Sequence, residues 1–289
     1  MSDHSIELDK KLSDAVERMP AFPKSVQKIL ELTRNLSCSP KDLVQVIEKD
    51  PIMTVRILRV LNSAYYSLPN KITSVNQAVV FLGLNTIKNL ALSIASVGIL
   101  PKQNVAGFDV NQYLQHSLTT AGIAKHLSSR IGDSDPMDCY VAGLLHDFGK
   151  VVFAQFMPEQ FKTALDKSLQ DNVPLFLAET ATIGTDHTVV GSMLAEKWQF
   201  PQPLINSIRN HHDEDAGVTV MGACVFAANE VSKKMKFGYA GSLCIEDFPA
   251  SVEQYFGGNV GELILSIGDS ELSRIAEEAK LFSQMEAAK

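Results

Sequence analysis

The chain has 289 residues, 45% of them hydrophobic, so it can bury a substantial core as one large domain or two smaller ones. Its formal net charge of −7 argues against a domain built to bind nucleic acid, because such a domain carries a concentrated basic face. The densest cationic stretch, "SKKMK" at 232–236, is isolated, and we interpret it as a solvated helix end rather than a binding patch.

The N-terminus, "MSDHSIELDKK", lacks the basic start and apolar core of a secretory signal, so we expect a cytoplasmic protein. Residues 78–100 are apolar and numerous enough to span a bilayer. However, Asn85, Lys88 and Asn89 lie in the middle at helical spacing, and an isolated lysine at the bilayer centre costs on the order of 3 kcal/mol or more. We therefore predict a mostly buried helix of a soluble domain and no membrane partner.

The first hundred residues are predicted to form a string of short helices. Hydrophobic residues recur at the helical period and sustained strand-type alternation is absent, which predicts an all-α fold. The segment 25–36, "SVQKILELTRNL", places its large apolar residues close to one stripe. Ser39 is a typical N-cap ahead of Pro40, and Asp50 followed by Pro51 predicts that one helix stops and the next begins there.

The second part of the chain begins with a long predicted helix, which Asp109 can cap and which ends at Gly132. A glycine-rich, less regular loop lies near the C-terminus, and a last helix is predicted at 261–284. Between the long helix and this loop, helices are predicted around 136–150, 158–171, 174–182, 186–198, 202–212 and 215–236.

Several histidines of the second half occupy positions that suggest a metal site. Taken singly, a histidine such as His116 or His187 is more typical of a half-buried, hydrogen-bonded helix residue than of a ligand. The joint pattern favours a site, because its members come from different helices of one all-α unit, and imidazole with carboxylate suits zinc, iron or manganese. The candidates are His116, His146 with the adjacent Asp147, His187, His211 and His212.

Two short motifs carry a family resemblance. "GLLHDFGK" (143–150) and "NHHD" (210–213) resemble the signatures of the HD superfamily of metal-dependent phosphohydrolases, and the His-His pair is similar to that of its HD-GYP branch. By this resemblance Lys150 contacts a substrate phosphate, and the ligands are His116, His146, Asp147, His187, His211 and His212. The metal implied is iron, manganese, zinc or nickel.

The chain also departs from that family. Asn229 stands where the family has its last aspartate, and Gln112 stands where two-metal members have a glutamate one turn before the first histidine. An amide oxygen is neutral and cannot bridge two cations as a carboxylate can. The G-Y-P signature is missing as well. Both positions are therefore interpreted as degenerate.

Motifs in the first half of the chain indicate which branch of the HD superfamily it resembles. The prolines of "MPAFP" (19–23), the "DP" at 50–51, "LNSAYY" (61–66) and "AVVFLGLNTIKNL" (78–90) together resemble the HDOD domain, the HD-related output domain of bacterial signalling proteins. The resemblance covers about residues 15–235. It implies a multi-helix HD-superfamily bundle with an N-terminal helical part at 1–105, an HD-like core at 106–236, and a C-terminal loop and helix at 237–289.

Three functions stay open. The resemblance favours a regulatory domain without efficient catalysis, whose partners are signalling or regulatory proteins. A metal-dependent phosphohydrolase acting on nucleotides or phosphodiesters is the alternative, since six possible ligands remain. A third possibility keeps the metal without turnover, as a structural element or as a sensor of metal or nucleotide. Its counterpart is a regulatory domain that holds no metal at all.

Overall fold

The computed structural model describes residues 3–21, 23–34, 39–62, 70–100 and 106–287. Within these ranges every regular element is helical, so the all-α prediction is confirmed. The elements are α1 (Asp3–Arg18), α2 (Lys24–Arg34), α3 (Pro40–Glu48), α4 (Pro51–Leu61), α5 (Val75–Leu82), α6 (Leu84–Ile99), α7 (Val110–Ile131), α8 (Pro136–Leu145), α9 (Phe148–Phe156), α10 (Pro158–Asp171), α11 (Leu175–Ile183), α12 (His187–Lys197), α13 (Gln202–Arg209), the 3₁₀ turn η1 (Ala216–Val218), α14 (Val220–Lys234), α15 (Ala250–Phe256), α16 (Val260–Ile267) and α17 (Asp269–Ala287).

The contacts divide the chain into two compact units. One comprises Met1–Met19 and Pro101–Ala279, and the other comprises Pro20–Leu100 and Lys280–Lys289. All of the candidate ligands lie in the first of these units. The domain boundaries drawn after residues 105 and 236 stay a prediction.

In the unit that contains α2 to α6, the predicted N-cap at Ser39 and the predicted helix boundary at Asp50 and Pro51 are confirmed. Ser39 and Asp42 form a capping box at the start of α3, and the Asp50 side chain accepts a hydrogen bond from the Met53 amide at 3.0 Å at the start of α4. Asn62 ends α4 and bonds the backbone of Ile72 in both directions, at 2.8 Å each. Residues 35–36 of the predicted stripe and 63–66 of "LNSAYY" lie outside the described residues.

Two helices predicted as continuous are interrupted. The segment 78–100 breaks at Gly83, with φ +80°, and the segment 261–284 breaks at Gly268, with φ +87°. The predictions were wrong because apolar periodicity continues on both sides of each break, whereas a positive φ is readily adopted by glycine alone. In the described part of the chain no helix combines the length and the hydropathy that crossing a bilayer requires.

The unit that holds the candidate ligands is organised around α7, which packs against α8 and α14. Asp109 caps α7 through the amides of Asn111 and Gln112, and Gly132 ends it in the left-handed conformation, so both predicted ends are confirmed. Helix α14 is buried along most of its length. The inward face of α7 is not purely apolar, since His116 is buried on it and points into the same region as α8, α9 and α12.

Candidate metal centre

The His-Asp pair lies at a break between two helices. Helix α8 ends at Leu145 and α9 begins at Phe148, so the single helix predicted at 136–150 is wrong. Asp147 has φ −95° and ψ 8°, in the sparsely populated bridge region, and both His146 and Asp147 are buried. Neither residue is a helix breaker. Asp147 contacts Lys150 one turn further along α9 and also His116 and His187 from other helices, and local sequence does not reveal these last two contacts.

A close crossing of α9 and α12 brings a third ligand candidate to this turn. A Cβ atom on Gly149 would lie 2.0 Å from the carbonyl oxygen of His187 and 2.9 Å from the amide of Gly191. Only glycine fits there. The crossing places the first residue of α12, His187, beside the Asp147 carboxylate at the start of α9.

Backbone carbonyls orient two of the imidazoles. Nδ1 of His146 lies 2.7 Å from the oxygen of Gly143, and Nδ1 of His211 lies 2.7 Å from the oxygen of Ile208. A carbonyl oxygen only accepts, so each Nδ1 carries the proton, and in the neutral ring each Nε2 presents a lone pair. Both Nε2 atoms face the Asp147 carboxylate.

His187 is held by a carboxylate that sequence analysis missed. Oε2 of Glu179, on α11, accepts from the His187 backbone amide at 2.9 Å and lies 2.6 Å from its Nδ1. Burial opposes protonation, but the Glu179 carboxylate raises the pKa of His187 to about 9. A buried glutamate bonded to a ligating histidine is a recurrent feature of metal sites. Its position eight residues before a candidate ligand was the only signal in the sequence.

Five side chains converge on Asp147, which is buried. Lys150 binds Oδ2 through Nζ at 2.7 Å. The four imidazoles approach through Nε2, at 3.3 Å (His146) and 3.6 Å (His116) from Oδ2, and at 3.2 Å (His187) and 3.7 Å (His211) from Oδ1.

This arrangement fits a cation. Buried atoms with no hydrogen-bond partner include His116 Nε2, His146 Nε2 and Asp147 Oδ1, and leaving such groups unsatisfied costs about 1–3 kcal/mol each. His187 Nε2, when protonated, donates a hydrogen bond to the lone pair of His211 Nε2 at 3.3 Å, and a metal would replace that proton. Two groups have ligand atoms within 4.8 Å of one another, namely His116, His146 and Asp147, and His187, His211 and His212. Imidazole and carboxylate atoms so gathered suit a divalent transition metal.

The protonation states of Asp147, His116 and His211 agree with this donor set, whereas His187, whose pKa is raised to about 9, must release a proton to bind a metal. Burial alone would raise the pKa of Asp147, but the nearby His146 and Lys150 hold it well below its usual value. Burial lowers the pKa of His116 well below its usual value and lowers the pKa of His211 to about 4. Asp147 is therefore an anion, and His116 and His211 are neutral, which are the forms that bind metals.

A pocket opens beside the centre, and of the remaining predicted residues Lys150 and Asn229 line it but Gln112 does not. Lys150 and Asn229 line it together with His116, His187 and His212. Gln112, in contrast, has an exposed side chain in the first turn of α7. His212 is also set apart from the Asp147 group: its ring stacks on Phe176 with centroids 4.5 Å apart, and its Nδ1 lies 2.9 Å from Glu246 Oε1.

Lys233 corrects the interpretation of "SKKMK" as a solvated helix end. Its side chain is buried, lines the same pocket, and makes ion pairs with Glu230 and Glu246. Lys234 and Lys236 are exposed as expected. The prediction failed because helix α14 turns one lysine of the cluster inward, toward acidic groups that are not adjacent in sequence.

Comparison with known families supports the motif resemblance. A sequence profile of the HDOD domain matches residues 19–214, so the predicted resemblance is confirmed. An uncharacterized protein of Treponema pallidum (strain Nichols) is 27% identical over 203 residues, 70% of this chain and 39% of that protein. Ribonuclease Y of Mycoplasma mycoides is 28% identical over 153 residues, 52% of this chain and 30% of that enzyme. The chain thus spans well under half the length of these curated relatives.

Solved structures share the fold. An HDOD domain protein of unknown function from Geobacter sulfurreducens has a TM-score of 0.74 at 24% identity, over 94% of this chain and 97% of that one. A candidate signal transduction protein from Marinobacter aquaeolei VT8 gives 0.78 at 23%, over 99% and 67%. A candidate phosphohydrolase from Shewanella amazonensis SB2B gives 0.71 at 22%, over 95% and 97%. At these identities the likeness shows the fold alone.

Proposed function

The chain belongs to the HDOD domain family, and from this premise we propose that it is a regulatory domain of bacterial signalling. Its buried centre binds a divalent metal ion without efficient turnover, and its pocket receives a nucleotide or another phosphate-bearing ligand. Signalling or regulatory proteins are the partners that this function requires. The observation that carries the proposal is the set of buried, unpartnered Nε2 and carboxylate atoms around Asp147.

The donor set supports metal binding more than hydrolysis. Asp147 is the only carboxylate within the two groups of candidate ligands in the described residues. Asn229 lines the pocket as a neutral amide, and Gln112 is exposed. One anion neutralises half of a divalent charge, and a neutral amide cannot bridge two metals. A single metal of the iron, manganese, zinc or nickel group is the best match, with Asp147, His116, His146, His187 and His211 as its ligands.

Metal analysis tests this proposal directly. Protein purified without chelator and then dialysed against Mn²⁺ is expected to retain about one equivalent by elemental mass spectrometry. Asp147→Ala is expected to lose it, whereas Asp166→Ala, which removes an exposed carboxylate paired with Lys162, is expected to keep it. Wild-type protein that stays free of metal after loading contradicts the metal centre.

Phosphohydrolase activity is the second candidate, favoured by one observation. Lys150 and Lys233 line the same pocket as three of the histidines, so two cations stand beside the centre. A bound metal would supply a water of lowered pKa. Lys150, which pairs with Asp147 at 2.7 Å, would turn toward the phosphate and stabilise its charge.

Hydrolysis of bis(4-nitrophenyl) phosphate in Mn²⁺ separates the two candidates. The regulatory function predicts release of nitrophenol no faster from wild type than from Asp147→Ala. Turnover that is clearly above background and abolished by Asp147→Ala would replace the regulatory proposal by the enzymatic one. Far-ultraviolet circular dichroism of both proteins serves as the folding control.

A further inference from the structure

Lys233 is a buried cation shared by two carboxylates. Its Nζ lies 2.5 Å from Oε1 of Glu230, one helical turn away on α14, and 3.1 Å from Oε1 of Glu246. The two carboxylates reach the Lys233 ammonium from different segments of the chain, and Lys233 donates a hydrogen bond to Glu246. A carboxylate at such a position is replaceable, provided that another anion takes its place.

Glu246 is the partner that can leave. Glu230 is fixed in the interior of α14, whereas Glu246 belongs to the irregular segment 237–249, between α14 and α15. Its neighbours along this segment point outward, with Leu243 52% and Ile245 38% exposed. Glu246 thus extends inward from the segment 237–249, which we call the strap. Its amide donates to Glu230 Oε2 at 2.7 Å, and its Oε1 contacts Lys233 and His212.

The strap is anchored on both sides of Glu246. At its start, Gly238 packs against α7 so closely that a Cβ would lie 2.4 Å from the carbonyl oxygen of Gln112, and the Tyr239 amide donates to that same oxygen at 3.0 Å. At its end, Phe248 is buried against Phe226. Release of Glu246 can therefore be local, with the strap still attached.

The Glu246 carboxylate lines the pocket beside the candidate metal centre. Glu246, Lys233 and His212 line the pocket together with Lys150 and His116, which belong to the candidate metal centre. Two oxygen-binding groups, the Lys233 ammonium and the His212 imidazole, already meet one carboxylate oxygen. Either group can donate a hydrogen bond to a phosphate oxygen, and the bond from the ammonium is the stronger, charge-assisted one.

We infer that Lys233 and His212 form an anion subsite, that Glu246 fills it in the ligand-free protein, and that a phosphodiester displaces Glu246. Charge selects the ligand class. A phosphodiester carries one negative charge, as the Glu246 carboxylate does, so the exchange leaves the pocket charge unchanged. A phosphomonoester, with a second pKa near about 6, would add a second charge close to Glu230 and Asp147. The inference rests on the phosphate-binding part of the proposed function and not on a bound metal.

Titration with dimethyl phosphate tests the subsite in the full chain, treated with chelator so that metal cannot contribute. Binding is followed by ³¹P nuclear magnetic resonance. Glu246→Ala is expected to bind dimethyl phosphate about tenfold more tightly than wild type, because the tethered competitor is gone, and Glu246→Gln, which keeps the side-chain shape, is expected to bind it more tightly too. The double variant Lys233→Met with Glu246→Ala is expected to lose this gain. Glu253→Gln, an exposed substitution on α15, is the matched control.

Two further measurements complete the test. Methyl phosphate at pH 8 is expected to bind Glu246→Ala more weakly than dimethyl phosphate does. In wild type, saturating dimethyl phosphate is expected to speed hydrogen exchange at the Glu246 amide, which loses its bond to Glu230. Competition by thymidylyl-thymidine and by glycerophosphoglycerol distinguishes a nucleotide source of the diester from a lipid-headgroup source.

The inference is overturned if both Glu246 variants bind dimethyl phosphate no more tightly than wild type, or if the double variant binds it as tightly as Glu246→Ala. Its failure is distinguishable from failure of the metal centre. Metal content is measured separately, and a gain seen in metal-free protein would support the anion subsite even where no metal is retained.

Discussion

Replacing Glu179 by glutamine tests whether the buried carboxylate prepares His187 to bind metal. Oε2 of Glu179 receives both the backbone amide and the Nδ1 of His187, and neither side chain is exposed to solvent. Glutamine can accept the same two bonds with its amide oxygen, but without the charge. A hydrogen bond to a charged group contributes about 1.5–3 kcal/mol and a neutral one about 0.5–1.5 kcal/mol, so the change removes about 1–2 kcal/mol from the orientation of His187.

The expected consequence is a loss of metal affinity. A difference of about 1–2 kcal/mol corresponds to roughly five- to thirtyfold, within the ten- to hundredfold range that such outer partners of ligating histidines contribute. Mn²⁺ affinity is measured by competition with a chelating dye, and circular dichroism monitors folding. Glu159→Gln, on the exposed face of α10, is the control. If Glu179→Gln binds Mn²⁺ within twofold of wild type, the carboxylate does not act through His187 and the reasoning is refuted.

Three other outcomes follow from single contacts. Gly149→Ala is expected to lower Tm by at least about 6 °C in calorimetry, since a Cβ 2.0 Å from a carbonyl oxygen of α12 forces a backbone shift that costs on the order of 3 kcal/mol. Gly258→Ala, with open space around it, is the control and is expected to leave Tm unchanged. Lys197→Met removes the donor to three carbonyl oxygens at the end of α1. Amides of α1 are therefore expected to lose protection from hydrogen exchange, while those of α13 keep it. Protection of α1 equal to that in wild type would argue against this anchor. Burial raises the pKa of Glu230 to about 7, so the native state holds its proton more tightly than the unfolded chain does, and stability falls as pH rises from about 4.5 through 7. Glu230→Gln is expected to flatten this decline when Tm is measured from pH 5 to pH 8. An unchanged slope would contradict the prediction.

The helical class and many helix ends follow from residues that are adjacent in the chain. The N-cap at Ser39, the helix boundary at Asp50 and Pro51, and the span of α7 from its Asp109 cap to Gly132 were all predicted, because a cap bonds amides only two or three residues away. The joint spacing of the histidines likewise indicated one site. The structure brings His116, His146, His187 and His211 together around Asp147.

Three helix breaks were not predicted from the sequence. Gly83 and Gly268 interrupt helices through backbone angles that hydrophobic periodicity does not encode. The break at Asp147 adjoins a carboxylate that contacts His116 of α7 and His187 of α12, residues that lie 31 and 40 positions away in the chain.

Sequence by itself thus determined the fold class, the capped helix ends and the identity of the candidate donors, because each depends on local hydrogen bonding or on residue chemistry. Only the tertiary structure decided which nitrogen of each imidazole faces Asp147, that Glu179 stands behind His187, and that Lys233 of an apparently solvated cluster is buried against Glu246. These depend on the packing of separate helices, which places groups 8 to 64 residues apart within a few ångströms, and no local pattern in the chain specifies that packing.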